Sequence, residues 1–241
     1  MKVINASYQI MKPDIDDPNT YHNILKEIEE CGRTAYKSEN LSTDESAERM
    51  VQRLIRDGHE SVLEHVNMRV NFIVDRGVSH ELVRHRLASF TQESTRYCNY
   101  SQDKFGNEIT VIKPCFFKPN MYEVTSISGT NYIEVDRGAS LETKKYSLWY
   151  NACAMAERRY FFLLSEGCTP QEARTVLPNS LKTEVMMTAN LREWRHILDL
   201  RAAGTTGKPH PQMLEVMVPL LNELKLKMPL LFADIQPMEV K

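Results

Sequence analysis

The chain has 241 residues, of which 42% are hydrophobic and 26% charged, an ordinary balance for a soluble globular protein able to bury a core. Its 30 basic and 32 acidic residues leave a formal net charge of -2, so no global positive field advertises nucleic acid or an anionic membrane, and any anion site has to be local. No apolar run approaches the roughly 20 residues that span a bilayer. The segment MKVINASYQI lacks the long apolar stretch of a secretory signal, and five scattered cysteines without a C-x-x-C pair give no disulfide framework or structural zinc site, so the expectation is a cytoplasmic protein with reduced thiols.

In chain order, MKVINASYQI alternates as an edge strand, broken by Pro13 and Pro18. A helix is predicted from Thr20 to about Cys31. A second, DESAERMVQRLIRD, is predicted with Ser42 or Thr43 as cap and Gly58 as stop, its apolar stripe running through Ala47, Met50, Val51, Leu54 and Ile55. In VNMRVNFIV, Val66, Met68, Val70 and Phe72 alternate with Asn67, Arg69, Asn71 and Ile73, the pattern of a half-buried strand. A short helix is predicted from about Val78 into ELVRHRLASFTQESTRYCNYS, and residues 102–140, with Pro114 and Pro119, read as loops and short strands.

SLETKKYSLWYNACAMAERRYFFLLSE gives the longest helical pattern, closed by Gly167; its apolar residues are spread too widely for one stripe, as in a helix that is central or covered by another subunit. Thr169 caps and Pro170 opens the next helix, which Pro178 ends. KTEVMMTANL reads as a strand, REWRHILDLRAA as a helix, and PQMLEVMVPLLNELKLKM as a last helix kinked at Pro219. No repeat or convincing boundary divides the chain, so a single domain over residues 1–241 is predicted.

His59, His65, His80 and His85 lie close in sequence, and HESVLEH looks like the zinc-protease H-E-x-x-H. That motif sets its histidines four apart on one helical face, whereas a spacing of six turns them roughly 240° apart, so no metal site is predicted.

Arg84, His85 and Arg86 near a helix end fit simple capping of its negative pole. Their surroundings point further. Ser94, Thr95 and Arg96 add hydroxyl and guanidinium donors, and a second group, Arg174, Asn190, Arg192, Arg195, His196 and Arg201, follows far along the chain. Arg84 and Arg86, two apart, point nearly opposite ways on a helix, so they serve two ligand groups unless one lies past the helix end. Two anion-binding clusters in a chain without net positive charge suit a polyanionic small ligand such as a nucleotide or dinucleotide. Neither G-x-G-x-x-G nor G-x-x-x-x-G-K-[ST] occurs, which excludes a Rossmann or P-loop cradle. A nucleic-acid module using the arginine and aromatics of STRYCNYS is one alternative, opposed by the net charge, and a different nucleotide-binding enzyme is another.

RHRLASFTQES is R-H-R, seven residues, then Ser, and it resembles the signature of the flavin-dependent thymidylate synthases, the ThyX family. GHESVLEH before it, STRY at its end, then ARTVLP, NLREWRH, DLR and HPQM agree with that family in order. The resemblance implies an α+β fold, a single mixed α/β domain with a central sheet flanked by helices, assembled as a homotetramer with active sites at subunit interfaces. It implies conversion of dUMP to dTMP with 5,10-methylenetetrahydrofolate as one-carbon donor and NADPH as reductant through FAD, with no metal.

Position by position, Ser61, Arg84, His85, Arg86, Asn190, Arg192 and His196 would contact FAD, and His59 would stand beside the flavin. Ser94, Thr95, Arg96, Arg174 and Arg201 would hold dUMP, with Glu81, Arg84 and Glu93 in the same substrate set and Gln92 touching both ligands. Arg201 would be the catalytic residue, favouring ionisation at N3 of the uracil ring, as a permanent cation does in a dry site. The family commonly carries Asn-Glu where this chain has Thr91-Gln92, and often Gln where it has Glu81.

Overall fold

A computed structural model describes residues 1–239. In chain order its elements are β1 (Lys2–Ile4), β2 (Ser7–Lys12), α1 (Thr20–Tyr36), α2 (Ser46–Arg56), β3 (Asn67–Asp75), α3 (Arg76–Leu82), β4 (Ser89–Gln92), β5 (Thr110–Ile112), β6 (Val124–Ser126), β7 (Ile133–Val135), α4 (Leu141–Ser165), α5 (Pro170–Ala173), β8 (Lys182–Asn190), α6 (Leu191–Leu198), α7 (Pro211–Lys227) and α8 (Pro229–Phe232). The architecture is mixed α/β, with strands in a four-stranded and two two-stranded sheets. Two compact units are distinguishable: residues 1–6, 73–81 and 92–185, and residues 7–72, 82–91 and 186 onward.

In the first unit β1 pairs in parallel with β5, Val3 facing Val111, and β6 pairs antiparallel with β7. Its core gathers Tyr100, Ile109, Val111, Cys153, Tyr160, Ala173 and Leu181, with Cys98 and Cys168 packed beside it. Helix α4 supplies Cys153 and Tyr160, and its buried Glu157 accepts the Ile109 N–H at 3.0 Å and the Asn131 amide at 2.9 Å, so that carboxylate is paired rather than stranded. Ser140 caps α4 by accepting from the Thr143 N–H at 3.2 Å. Four large apolar side chains of α4 nevertheless face out: Leu141, Leu148, Met155 and Phe162, each seven residues from the next. The wide apolar spread of its sequence is therefore a core face plus a second, exposed heptad stripe.

The four-stranded sheet has the order β2-β3-β8-β4. Met68, Val70 and Phe72 on β3 are buried while Asn67 and Arg69 are exposed, as their alternation predicts. Trp194 of α6 lies fully buried beside Phe72, its indole N–H donating to the Met68 carbonyl at 2.9 Å. Helix α7 is the one covered on most sides, burying Met213, Val216, Met217, Leu220, Leu221 and Leu224, with Pro219 inside it.

Several boundaries differ from the sequence expectation. MKVINASYQI is two strands in different sheets, not one edge strand. Helix α1 runs on to Tyr36 because Arg33 bonds the buried Glu29 one turn back, at 2.6 Å, and because Gly32 allows close packing on α2, where a Cβ would stand 2.7 Å from Met50 Cε. Neither Ser42 nor Thr43 caps α2; the helix begins at Ser46, whose hydroxyl accepts the Thr43 N–H at 2.8 Å. Thr169 and Pro170 open α5 as predicted, the Thr169 N–H donating to Glu172 at 2.7 Å. Among the described residues no helix is long and apolar enough to cross a membrane, and no group of three or more His, Cys, Asp or Glu is arranged to hold a metal.

Candidate active site

Helix α3 stops at Leu82, so Arg84, His85 and Arg86 lie in the turn beyond it, which removes the opposed directions that two residues two apart would take on a helix. Arg84 and Arg86 are exposed, and neither makes a hydrogen bond or ion pair among the described residues. His85 is the opposite: 6% exposed, its Nε2 accepts the Arg201 Nε–H at 3.2 Å. An accepting Nε2 puts the ring proton on Nδ1, which stands 3.9 Å from Glu193, too far for a hydrogen bond. Burial first, then the charges of Arg201 and His196, push the imidazole down to about 4. His85 is therefore neutral at pH 7, and it orients Arg201 without competing for charge. Burial raises the Glu193 carboxyl in the same surroundings.

Arg201 owes its place to a π-turn, Asp199–Ala203, which continues α6 and ends at Gly204. Gly204 has φ of 71°, and a Cβ there would lie 3.2 Å from the Gly207 carbonyl oxygen and closer still to Met238, so only glycine closes this turn without strain. The Met238 N–H donates to the Ala202 carbonyl at 2.8 Å, tying the turn from outside.

A cleft of about 1030 Å³ in the same unit is lined by Asn190, Arg192, Arg195, His196, Glu60 and Glu64 among others. Asn190 caps α6, its side chain accepting the Glu193 N–H at 2.9 Å. Arg192 is exposed and meets Glu64 at 2.5 Å, a surface pair of small net worth that can be exchanged for a ligand anion. The spacing of Arg192, Arg195 and His196 predicts three residues along one helix side, but Arg195 turns inward. It is 8% exposed, forks onto Asp234 at 2.9 and 2.6 Å, meets Glu60 at 3.0 Å and donates to the Leu231 carbonyl. Arg195 thus anchors the 231–234 segment. His59 and Ser61 stand exposed at the start of the 3-10 turn Glu60–His65. The cleft's size suits a large organic ligand; Arg192 and His196 line it, together with Glu60, Glu64, Glu193, Asp199 and Asp234, whereas the exposed Arg84 and Arg86 belong to the same unit but not to its lining.

The remaining expected residues lie in the first unit. Thr95, 7% exposed, accepts from Arg174 Nη1 at 3.1 Å, which leaves the threonine proton and the other guanidinium protons for a ligand. Both line a cleft of about 400 Å³ together with Arg76, His80 and Asn179, and none of its lining residues is acidic. Neither the Arg76 nor the His80 side chain has a hydrogen bond or ion pair among the described residues. Cations gathered without a carboxylate make an anion seat. Sequence reasoning missed Arg76 and His80; the signal was their spacing of four in DRGVSH, which sets both on one face of α3.

Ser94 Oγ accepts the Arg96 N–H at 3.3 Å, and the Arg96 guanidinium sits 5.4 Å from the centre of the exposed Tyr97 ring. The Gln92 amide donates to Ser79 at 2.9 Å and Thr183 at 3.1 Å. Both Glu93 oxygens are engaged, with Tyr100 and Lys182. Glu81 is half-buried at the end of α3.

Against known families, residues 19–230 match the model described as thymidylate synthase complementing protein. The chain is 29% identical over 181 residues to a flavin-dependent thymidylate synthase of Geobacter sulfurreducens, covering 75% of this chain and 66% of that protein. It is likewise 29% identical to the enzyme of that name from Pyrococcus furiosus, covering 70% and 60%. The matched stretch is thus less than two thirds of either relative's length. A Corynebacterium aurimucosum protein of the same name is 28% identical, with 86% and 78% covered. Among solved structures, a UMP/dUMP methylase PolB from Streptomyces cacaoi, bound with 5-Br dUMP, has a TM-score of 0.70 at 20% identity over 97% of this chain and 96% of that one, a likeness of fold.

Proposed function

This chain belongs to the thymidylate synthase complementing protein family, and from that premise we propose that it is a flavin-dependent thymidylate synthase. It converts dUMP to dTMP with 5,10-methylenetetrahydrofolate as carbon donor and NADPH as reductant, residues 1–241 acting as one domain. The curated relatives carrying the flavin-dependent name, and the fold neighbour that the 5-Br dUMP complex represents, support this reading. The observation that carries it is the neutral, buried His85 accepting from Arg201, which joins the R-H-R signature to an arginine 116 residues further on.

The residues take three roles. Arg84, Arg86, Arg192, His196 and Asn190, with His59 and Ser61, would hold FAD, the guanidinium groups supplying donors suited to its anionic part. Thr95, Arg174, Ser94 and Arg96 hold dUMP, and Arg76 and His80 join them around its phosphate, in the cleft that lacks acids. Arg201 stabilises the negative charge that develops on the uracil ring, and His85 keeps its guanidinium oriented. When bound, FAD would supply the hydride chemistry, passing on from NADPH the two electrons needed to take the one-carbon unit from the formaldehyde to the methyl level. Because those electrons come from NADPH, the folate leaves unoxidised, and the ring exchanges its C5 proton for the methyl group.

A homotetramer with active sites at subunit interfaces completes the proposal. The exposed heptad stripe Leu141, Leu148, Met155 and Phe162 is the apolar surface on α4 that suits burial against another copy.

Purified protein should be yellow and release FAD on denaturation. Arg201→Ala should lower dTMP formation by about 2 to 3 orders of magnitude, the scale of losing one transition-state charge partner, while FAD stays bound. Arg86→Ala should instead weaken flavin retention. Normal turnover by Arg201→Ala overturns the assigned role.

A further inference from the structure

Glu93 stands between Gln92 and Ser94, inside the segment read above as part of the nucleotide site, yet its carboxylate faces other groups. Oε1 accepts from the Tyr100 hydroxyl at 3.0 Å and Oε2 from the Lys182 ammonium at 2.9 Å. The Glu93 and Lys182 side chains are only 13% and 20% exposed, so this pair is shielded from the screening that weakens surface ion pairs. The Glu93 N–H also donates to the Glu184 carbonyl at 2.9 Å, fastening this end of the segment to β8.

The other end is fastened as well. Tyr100 is 5% exposed, its N–H donates to the Tyr160 hydroxyl at 3.3 Å, and its ring packs 5.2 Å from Phe105 and 5.7 Å from Tyr160. Burial, and next the Glu93 charge, raise its phenol well above the ordinary range, so it remains a donor. Between these ends the Ser94 carbonyl accepts from the Tyr97 and Cys98 N–H groups at 3.1 and 2.9 Å, forming a tight turn. The Tyr100 to Glu93 bond therefore closes a side-chain ring around Ser94, Thr95 and Arg96. Neighbouring residues also face different spaces: Glu93 lines a cleft of about 490 Å³ with Lys2, Lys104 and Lys182, whereas Thr95 lines the acid-free cleft with Arg174.

We infer that Glu93, Tyr100 and Lys182 are positioning residues that hold Ser94–Thr95–Arg96 in the shape that receives the nucleotide phosphate, and that Glu93 does not touch the nucleotide. The inference rests on the dUMP reading above. A loop already held in its bound form loses less conformational freedom when the ligand arrives, so the clamp acts on nucleotide affinity and leaves the chemical step alone.

Tyr100→Phe removes one hydroxyl and keeps the packed ring, and the FAD-loaded full chain is the material to assay. The KM for dUMP should rise about five- to tenfold, the change that a hydrogen bond of usual net strength corresponds to, with kcat and FAD content as in the wild type. Lys182→Met should raise the same KM, and Lys182→Arg should restore most of it. Wild-type KM in both Tyr100→Phe and Lys182→Met overturns the inference, as does a fall in kcat at unchanged KM. A wild-type protein with no dUMP-dependent turnover defeats the parent reading, and the inference with it; normal wild-type turnover with indifferent variants defeats the inference alone.

Discussion

At position 92 a glutamine does what a glutamate could not. The Ser79 hydroxyl already donates to the Arg76 carbonyl at 2.9 Å, so the group facing it has to be a donor, and the Gln92 amide donates at 2.9 Å. It reaches the Thr183 hydroxyl at 3.1 Å with its other proton. A carboxylate would face the Ser79 oxygen with no proton between them. Gln92→Glu should therefore lose about 1 to 2 kcal/mol of stability, read from urea unfolding at pH 8, where the new side chain is ionised; an unchanged midpoint would refute this account of Gln92. The motif order in RHRLASFTQES and DLR brought Arg201 and His85 under suspicion together, because chemistry on an anionic ring needs a fixed cation. What single residues conceal is partnership. Arg195 reads in sequence as one more cation of a basic face, and only tertiary packing turns it onto Asp234 and Glu60. Glu93 reads in sequence as a ligand group, and its bonds to Tyr100 and Lys182 appear only in the folded chain.

Periodicity reveals elements whose burial is one-sided and misreads those that do two jobs. The alternation of β3 and the Thr169-Pro170 start of α5 are local signals with local causes, and both hold. The π-turn at Asp199–Ala203 has no such signal, since its extra residue depends on Gly204 and on the Met238 contact from far along the chain. On α4 the sequence shows too much apolar surface for one stripe but not its division into a core face and the exposed heptad row of Leu141, Leu148, Met155 and Phe162. If that row is the contact between copies, Leu148→Glu places a charge in an apolar seam and should reduce the assembly to smaller species in sedimentation, with the far-ultraviolet spectrum intact. An unaltered mass would move the interface elsewhere.

For the molecule as a whole, a near-zero net charge hides strongly local electrostatics, and acid stability is where they become measurable. The folded His85 imidazole titrates at about 4 against an ordinary 6.5, so between those values the unfolded chain binds a proton that the folded chain does not. That contribution is complete above pH 6.5 and is lost as the pH falls toward 4. Glu29 follows at lower pH: burial alone would raise its carboxyl, but hydrogen bonds from Ser46, Arg33 and Lys26 pull it down to about 2, so its share is lost between 4.5 and 2. Glu193, raised by burial, works in the opposite sense, so the His85 share is isolated by comparison with His85→Gln. Between pH 7 and 4.5 the wild type should lose more unfolding free energy than the variant, by up to about 3 kcal/mol. Parallel profiles would mean that His85 is not held neutral.

The account's central claim is that this chain couples a bound flavin to methylation of a pyrimidine monophosphate. Anaerobic incubation of the purified, FAD-loaded protein with NADPH, 5,10-methylenetetrahydrofolate and dUMP, followed by chromatography of the nucleotides, tests it most directly. The prediction is dTMP formed in step with NADPH consumed and tetrahydrofolate released, none of it without dUMP and almost none by Arg201→Ala. Recovery of unchanged dUMP from a flavin-loaded, folded protein would contradict the claim.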